Sequence, residues 1–164
     1  MGPTYQRLVV VAISVFLVTG CGDNRLDKPL PGSGKKLRVS LPWRNGARIP
    51  RQYTCDGGNR VPAVRIDKRA PHGTAIVMTD PDAPGGTFVH WTRWDGVDGE
   101  NSFGRVGYSG PCPPKGDKAH RYVLTVYVLE RRLPLARGSK PDQVIAALQK
   151  QADESGSTTG LYGR

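Results

Sequence analysis

His90 and His120 each follow a loop stiffened by proline and glycine, DPDAPGGTFV (residues 80–89) ahead of the first and GYSGPCPPKGDKA (residues 107–119) ahead of the second. Only His72 lies elsewhere. Asp80 and Asp82 precede one histidine, and Tyr122 stands two residues after the other, on the same face of a strand. Imidazole N–H groups, a phenol hydroxyl and loop amides are the donors that hold phosphate oxygens. A carboxylate beside an imidazole fixes which ring nitrogen carries the proton, so Asp80 has a place in such a site. Taken singly, each stretch also reads as an ordinary turn followed by a strand with a structural histidine. Their parallel settings favour one shared site.

Two catalytic readings are weaker. Gly107-Tyr108-Ser109-Gly110-Pro111 has proline where a serine-hydrolase elbow needs its second glycine, and it reads as a loop. Asp80, Asp82, His90 and His120 are of the types that ligate zinc or a harder ion, but no HExxH or CxxC spacing supports a metal enzyme.

The elements that must position these groups are mostly strands. Residues 37–41 alternate, residues 61–66 contain Pro62 and read as an edge strand, and residues 74–79 are a short apolar run stopped by Asp80-Pro81. Residues 87–94 alternate and would place Phe88, His90, Thr92 and Trp94 on one face, while residues 122–129 are apolar enough for a central strand covered on both sides. Near the end, Ser139 as cap, Pro141 in the first turn and Val144, Ile145 and Leu148 at helical spacing predict one helix. At 164 residues the chain holds one domain, without an internal repeat.

The N-terminus carries a different message. Arg7 is followed by a largely apolar run over residues 8–19 and then Gly20-Cys21. A run of that length falls short of the ~20 residues that span a bilayer, but it suits the apolar region of a signal peptide. Val18-Thr19-Gly20-Cys21 resembles a bacterial lipobox, which predicts removal of residues 1–20 and acylation of Cys21, with diacylglycerol and palmitate-type chains. Residues 21–35, polar and rich in proline and glycine, read as a flexible tether, and residues 36–164 as the folded domain. The expected place is the bacterial cell envelope, anchored on the extracytoplasmic side.

Charge and cysteine usage follow from that place. The full chain has 24 basic and 14 acidic side chains; without Arg7 the balance is 23 against 14, or +9. Such a surface is drawn to anionic lipid or other polyanions, and an exported domain has little occasion to meet nucleic acid. With Cys21 acylated, Cys55 and Cys112 remain, either bonded in an oxidising compartment or as two free thiols.

DPDAP followed by HW, then GYSGPCPPKG and HRY, together with YTCDGG upstream and TGLYGR at the end, resemble the phosphatidylethanolamine-binding protein family, in its bacterial Raf kinase inhibitor-like branch. The resemblance runs from about residue 37 to residue 164. It implies a mainly β fold of two packed, largely antiparallel sheets with a few peripheral helices, and a small anion pocket for phosphate-type head groups such as that of phosphatidylethanolamine. On this sequence the pocket residues would be Asp80, Asp82, Pro84, His90, Gly110, Pro111, His120 and Tyr122, with Cys55 and Cys112 flanking them and Trp91 helping to exclude water. The resemblance implies a binding protein without a cofactor. A modulator or inhibitor of an envelope protease or kinase is the alternative.

Overall fold

The structure, a computed structural model, describes Leu26, residues 30–32 and residues 35–164. The expected signal peptide over residues 1–20, Cys21 and most of the expected tether lie outside the described residues. Among the described residues, eight strands and one α-helix follow in order: β1 (Lys35–Lys36), β2 (Val39–Ser40), β3 (Arg65–Ile66), β4 (Thr74–Asp80), β5 (Phe88–Trp94), β6 (Val97–Asp98), β7 (His120–Leu129), α1 (Pro141–Gln151) and β8 (Ala152–Tyr162). They form a six-stranded sheet of order β1-β8-β7-β4-β5-β6 and a two-stranded sheet of β2 and β3. Every pairing is antiparallel except that of β1 with β8.

β7 is covered on both faces, as its near-continuous apolar sequence requires. Tyr122, Leu124 and Val126 join Met78, Trp91, Ile49 and Trp43 in one core, against which Val39 and Ile66 of the small sheet pack. Tyr127 and Leu129 join Ala75, Val77 and Trp94 in the other, closed by Val144, Ile145 and Leu148 of α1. Each fully buried aliphatic side chain contributes about 1.5–3 kcal/mol relative to exposure. Leu26 and Leu30, inside the stretch expected to be a free tether, pack against this second core, and the Leu26 N–H donates to the Thr87 carbonyl at 3.2 Å.

Three local expectations are corrected. The helix is capped by Lys140, not Ser139: the Gln143 side chain accepts from the Lys140 N–H at 2.9 Å, whereas the Ser139 hydroxyl donates to the Ala136 carbonyl. The strict alternation of β5 is broken at His90, because Met78 pairs with Trp91 and Thr79 with Val89, leaving His90 as the extra residue of a bulge. Phe88 and His90 stay together, their ring centroids 5.0 Å apart, but Trp94 packs with Val89 in the second core and Trp91 in the first. Trp91 thus does not reach the pocket rim: it is buried, and its indole N–H donates to Asp98 at 3.0 Å.

β8 is the third difference, a strand of 11 residues where no strand was expected. Its sequence, ADESGSTTGLY, has little of the β-branched apolar signature. Glycine takes the place of large side chains because other segments pack directly on its backbone. A Cβ at Gly156 would collide with the Leu37 carbonyl, and one at Gly160 with Ile49 and Trp43. Glu154 is buried through two hydrogen bonds from Lys68, at 2.6 and 2.8 Å.

Candidate functional site

The order β7-β4-β5 decides which chemistry meets. β4 ends at Asp80, β5 begins at Phe88 with His90 two residues on, and β7 begins at His120, so antiparallel pairing brings these strand ends to one corner of the sheet. There they line a cavity of about 190 Å³, completed by Ala83, Pro84, Phe103, Cys112, Pro113 and Pro114. Asp80, His90 and His120 are each 3% exposed, and they are the polar groups of an otherwise apolar wall.

The loop between β4 and β5 is held from both ends. The Asp80 carboxylate accepts the Asp82 N–H at 2.9 Å, a turn closed by the first residue's own side chain. Gly85 and Gly86 then carry φ values of 82° and 120°, open to glycine without strain. Asp82 is not among the residues that line the cavity: it takes the Arg121 guanidinium at 2.9 and 2.6 Å and the Arg121 N–H at 2.8 Å. Those bonds hold the Asp82 carboxyl well below the usual carboxylate range and clamp the loop to β7.

The two imidazoles have different supports. His120 donates from Nδ1 to the other oxygen of Asp80 at 2.8 Å, with both side chains 4% exposed. Its Nε2 lies 3.9 Å from the Asp117 carboxylate. His90 donates from Nδ1 to the Ser109 carbonyl at 2.7 Å, and the Ser109 N–H returns a bond to the His90 carbonyl at 2.9 Å. Burial pushes the His90 pKa down against the opposing pull of the Ser109 carbonyl and the Asp80 charge. The ligand-free imidazole is therefore neutral at pH 7 and keeps an unprotonated Nε2.

Tyr122 stands behind this pair, its ring 5.2 Å from His90 in an edge-on contact. Burial, reinforced by the nearby Asp80 charge, pushes its phenol well above the usual tyrosine range. The hydroxyl lies close to Asp80 and to the Cys112 main chain, but among the described residues none meets it in hydrogen-bond geometry.

Gly110 and Pro111 shape the wall without lining it. A Cβ at Gly110 would collide with the Tyr53 carbonyl, and its N–H is taken by Asn59 Oδ1 at 2.7 Å. Pro111 accepts the Cys55 N–H at 3.1 Å, and a disulfide joins Cys55 to Cys112, Cα atoms 5.4 Å apart. These bonds latch residues 107–116 to residues 51–60, so that Cys112, Pro113 and Pro114 form the wall. The sequence reading credited this loop with donor amides, but the Gly110 amide is occupied and two of the three lining residues are prolines.

Phe103 and Asn101 carry no signal in the sequence, and Ser109, weighed there only as the serine of a hydrolase elbow, acts here through its main chain. Phe103 sits 4.5 Å from Phe88 across the cavity, edge to face. Asn101, fully buried, donates to the Gly107 carbonyl at 2.9 Å and to Ser109 Oγ at 3.0 Å, while its own oxygen accepts from the Phe103 N–H at 3.0 Å. One side chain thus organises both the loop that presents Phe103 and the carbonyl that orients His90. Nothing local in GENSFGR marks it.

Comparison with known proteins places this arrangement. The family model described as phosphatidylethanolamine-binding protein matches residues 39–163, nearly all of the folded domain. The chain belongs to the phosphatidylethanolamine-binding protein family. A UPF0098 protein of Pyrococcus abyssi is 34% identical over 180 residues, covering 94% of this chain and 98% of its own. A Mycobacterium tuberculosis protein named "Putative lipoprotein LppC" is 33% identical over 153 residues, covering 82% and 75%. The crystal structure of Escherichia coli YbcL, described as a new member of the mammalian family, superposes with a TM-score of 0.70 at 25% identity, covering 79% of this chain and 99% of that one. A family homologue from Chlamydia trachomatis shares the fold, with a TM-score of 0.72 at 24% identity and coverage of 79% and 99%. The family assignment and the two-sheet, mainly β architecture therefore agree with the resemblance read from the motifs.

Proposed function

We propose that this family member is an envelope-anchored binding protein whose cavity takes phosphate-bearing small groups, such as a phospholipid head group. The observation that carries the reading is the convergence of His90, His120 and the buried Asp80 on one cavity of about 190 Å³. That volume lies below the ~300–1,000 Å³ of sites for drug-sized ligands, and so suits a head group better than a whole lipid. Asp80 holds the Nδ1 proton of His120 and the Ser109 carbonyl holds that of His90, which leaves each Nε2 for the ligand. In the imidazolium form each Nε2–H donates a charge-assisted bond to a phosphate oxygen. Phe88, Phe103 and the prolines exclude water and strengthen those bonds.

Binding is the chemistry this geometry supports best, because carbonyl and carboxylate fix each imidazole with its free nitrogen available to a ligand. The lipobox-like Val18-Thr19-Gly20-Cys21 and the name of the mycobacterial relative support an acyl anchor at Cys21. Labelled fatty acid should enter the wild type and not Cys21→Ser, and a soluble, unlabelled wild type would refute the anchor.

A second reading is favoured by exposed apolar residues. Phe103 is 48% exposed at the cavity and Val106 43% exposed on the same loop, a surface that a partner such as an envelope protease or kinase could cover. Phosphorylethanolamine should then compete with that partner; head-group binding without such competition separates the two.

A further inference from the structure

The strands that build the cavity also determine what shares its end of the sheet. Asp80 closes β4, Phe88 opens β5, His120 opens β7 and pairs with Tyr162, which closes β8. Beside Tyr162, Arg48, Arg51, Lys115 and Arg164 line a groove of two adjoining hollows, about 440 and 360 Å³. Groove and cavity adjoin at two places: Arg164 Nη1 lies 3.4 Å from Cys112 Sγ, and the Asp117 carboxylate lies 3.9 Å from His120 Nε2.

The groove's cations outnumber its anions. Asp56 is already engaged, accepting from the Tyr162 hydroxyl at 2.6 Å and from Arg164 Nε at 3.0 Å, and its carboxyl is held below the usual range. Asp117, the other carboxylate, lies beside His120. Arg48 stacks over the Tyr162 ring, 5.7 Å from its centroid, and Arg51 Nε donates to the Asp56 main-chain carbonyl at 2.6 Å. All three of Arg48, Arg51 and Lys115 are exposed; the Arg51 charge acts on the Asp56 carboxylate, which Tyr162 and Arg164 already hold, and among the described residues Arg48 and Lys115 have no salt-bridge partner.

The path of the chain adds a second, independent constraint. Leu26 bridges Thr87, the residue before Phe88, at this same end. Five residues back to Cys21 reach at most about 18 Å when fully extended. The opposite end, where β7 finishes, is a strand of 10 residues away, roughly 33 Å.

We propose that this end of the sheet is a membrane-docking face, with the basic groove seated on anionic phospholipid so that the neighbouring cavity meets the head groups. The part that concerns Cys21 rests on the anchored reading above; the groove's affinity for an anionic surface does not. Each Lys or Arg close to such a surface strengthens attachment about fivefold, so replacing three should weaken it on the order of a hundredfold.

The test uses the acylated protein in phosphatidylethanolamine vesicles with or without phosphatidylglycerol, and a fluorophore on either Lys118→Cys or Glu130→Cys. Head-group nitroxides should quench the Lys118 probe far more than the Glu130 probe, only when phosphatidylglycerol is present, and less at high salt. The triple variant Arg48→Gln, Arg51→Gln, Lys115→Gln should lose that preference while still binding inorganic phosphate in the cavity as the wild type does. Equal quenching at both ends, or a triple variant that docks unchanged, would overturn the proposal. If the protein proves to carry no acyl group, the anchor falls, and cosedimentation with the same vesicles reads the groove alone: a hundredfold loss in the triple variant upholds it, and unchanged partition overturns it.

Discussion

Replacing Asp80 by asparagine separates the carboxylate's charge from its shape. In the wild type one oxygen takes the His120 Nδ1–H at 2.8 Å and the other the Asp82 N–H at 2.9 Å, in surroundings that leave both side chains of the Asp80–His120 pair 4% exposed. The substituted side chain can keep the bond from the Asp82 N–H with its amide oxygen. Its NH2 group then faces His120 Nδ1, and a bond forms there only if the imidazole moves its proton to Nε2. Exchange of a charge-assisted bond for a neutral one should cost about 1–2 kcal/mol of stability. Asp80→Ala leaves two buried donors unpaired and should cost about 3–5 kcal/mol. The asparagine variant should also bind phosphate about tenfold more weakly, because the carboxylate that orients His120 with a charge-assisted bond is gone. Urea unfolding followed by the fluorescence of buried Trp91 and Trp94, with phosphate titrations, reads both effects. Two variants of equal stability, or an asparagine variant that binds phosphate as tightly as the wild type, would refute the role given to the Asp80–His120 bond.

Tyr122→Phe removes a buried hydroxyl that, among the described residues, makes no hydrogen bond of good geometry although Asp80 and the Cys112 main chain are near. Stability should be unchanged or higher by up to about 1–2 kcal/mol, as measured by denaturant midpoint, and a loss larger than that would reveal a partner for the hydroxyl. The Cys55–Cys112 bond closes a separation of 57 residues, which corresponds to about 4 kcal/mol by loop-closure entropy. Reduction or Cys55→Ser with Cys112→Ser should lower the midpoint accordingly and weaken phosphate binding, since Cys112, Pro113 and Pro114 form the wall; an unchanged midpoint and affinity would remove the latch from the account.

What could be read in advance was what local composition encodes. β7 announced itself by its unbroken apolar run, α1 by Pro141 and the spacing of Val144, Ile145 and Leu148, and the site by two histidines behind rigid loops. The pairing of Asp80 with His120 was half legible, because the acid and the imidazole were named but 40 residues separate them and only the β4–β7 pairing brings them together. β8 was hidden because two positions of its inner face are glycine, Gly156 and Gly160, where Leu37, Ile49 and Trp43 pack on its backbone, and Glu154 and Thr158 fill others. The bulge at His90 was hidden because it depends on β4 as much as on β5. Asp82 was placed in the pocket by its motif, whereas the guanidinium of Arg121, next to His120 in sequence, draws it to the loop clamp. Asn101 acts through main-chain groups at Phe103, Gly107 and Ser109, and such bonds leave no trace in residue type.

The central claim is that His90 and His120 serve a phosphate group, and proton-linked calorimetry tests it most directly. Burial holds His90 below its ordinary pKa, so in the free protein it is neutral near pH 7, and an incoming dianion must bring or recruit a proton for Nε2. Free-protein stability should accordingly fall as pH drops through the ordinary histidine range near 6.5, where the unfolded state binds more protons. Ligand affinity should move the opposite way, weakening as pH rises by up to about tenfold per pH unit while one proton is taken up. Phosphorylethanolamine titrated into wild type, His90→Ala and His120→Ala, in two buffers of different ionisation enthalpy, should show net proton uptake by the wild type and a loss of about 1–3 kcal/mol in each variant. Equal affinities in all three proteins with no proton uptake, and variants that merely unfold more easily, would assign both histidines to the core and leave the cavity without its phosphate ligand.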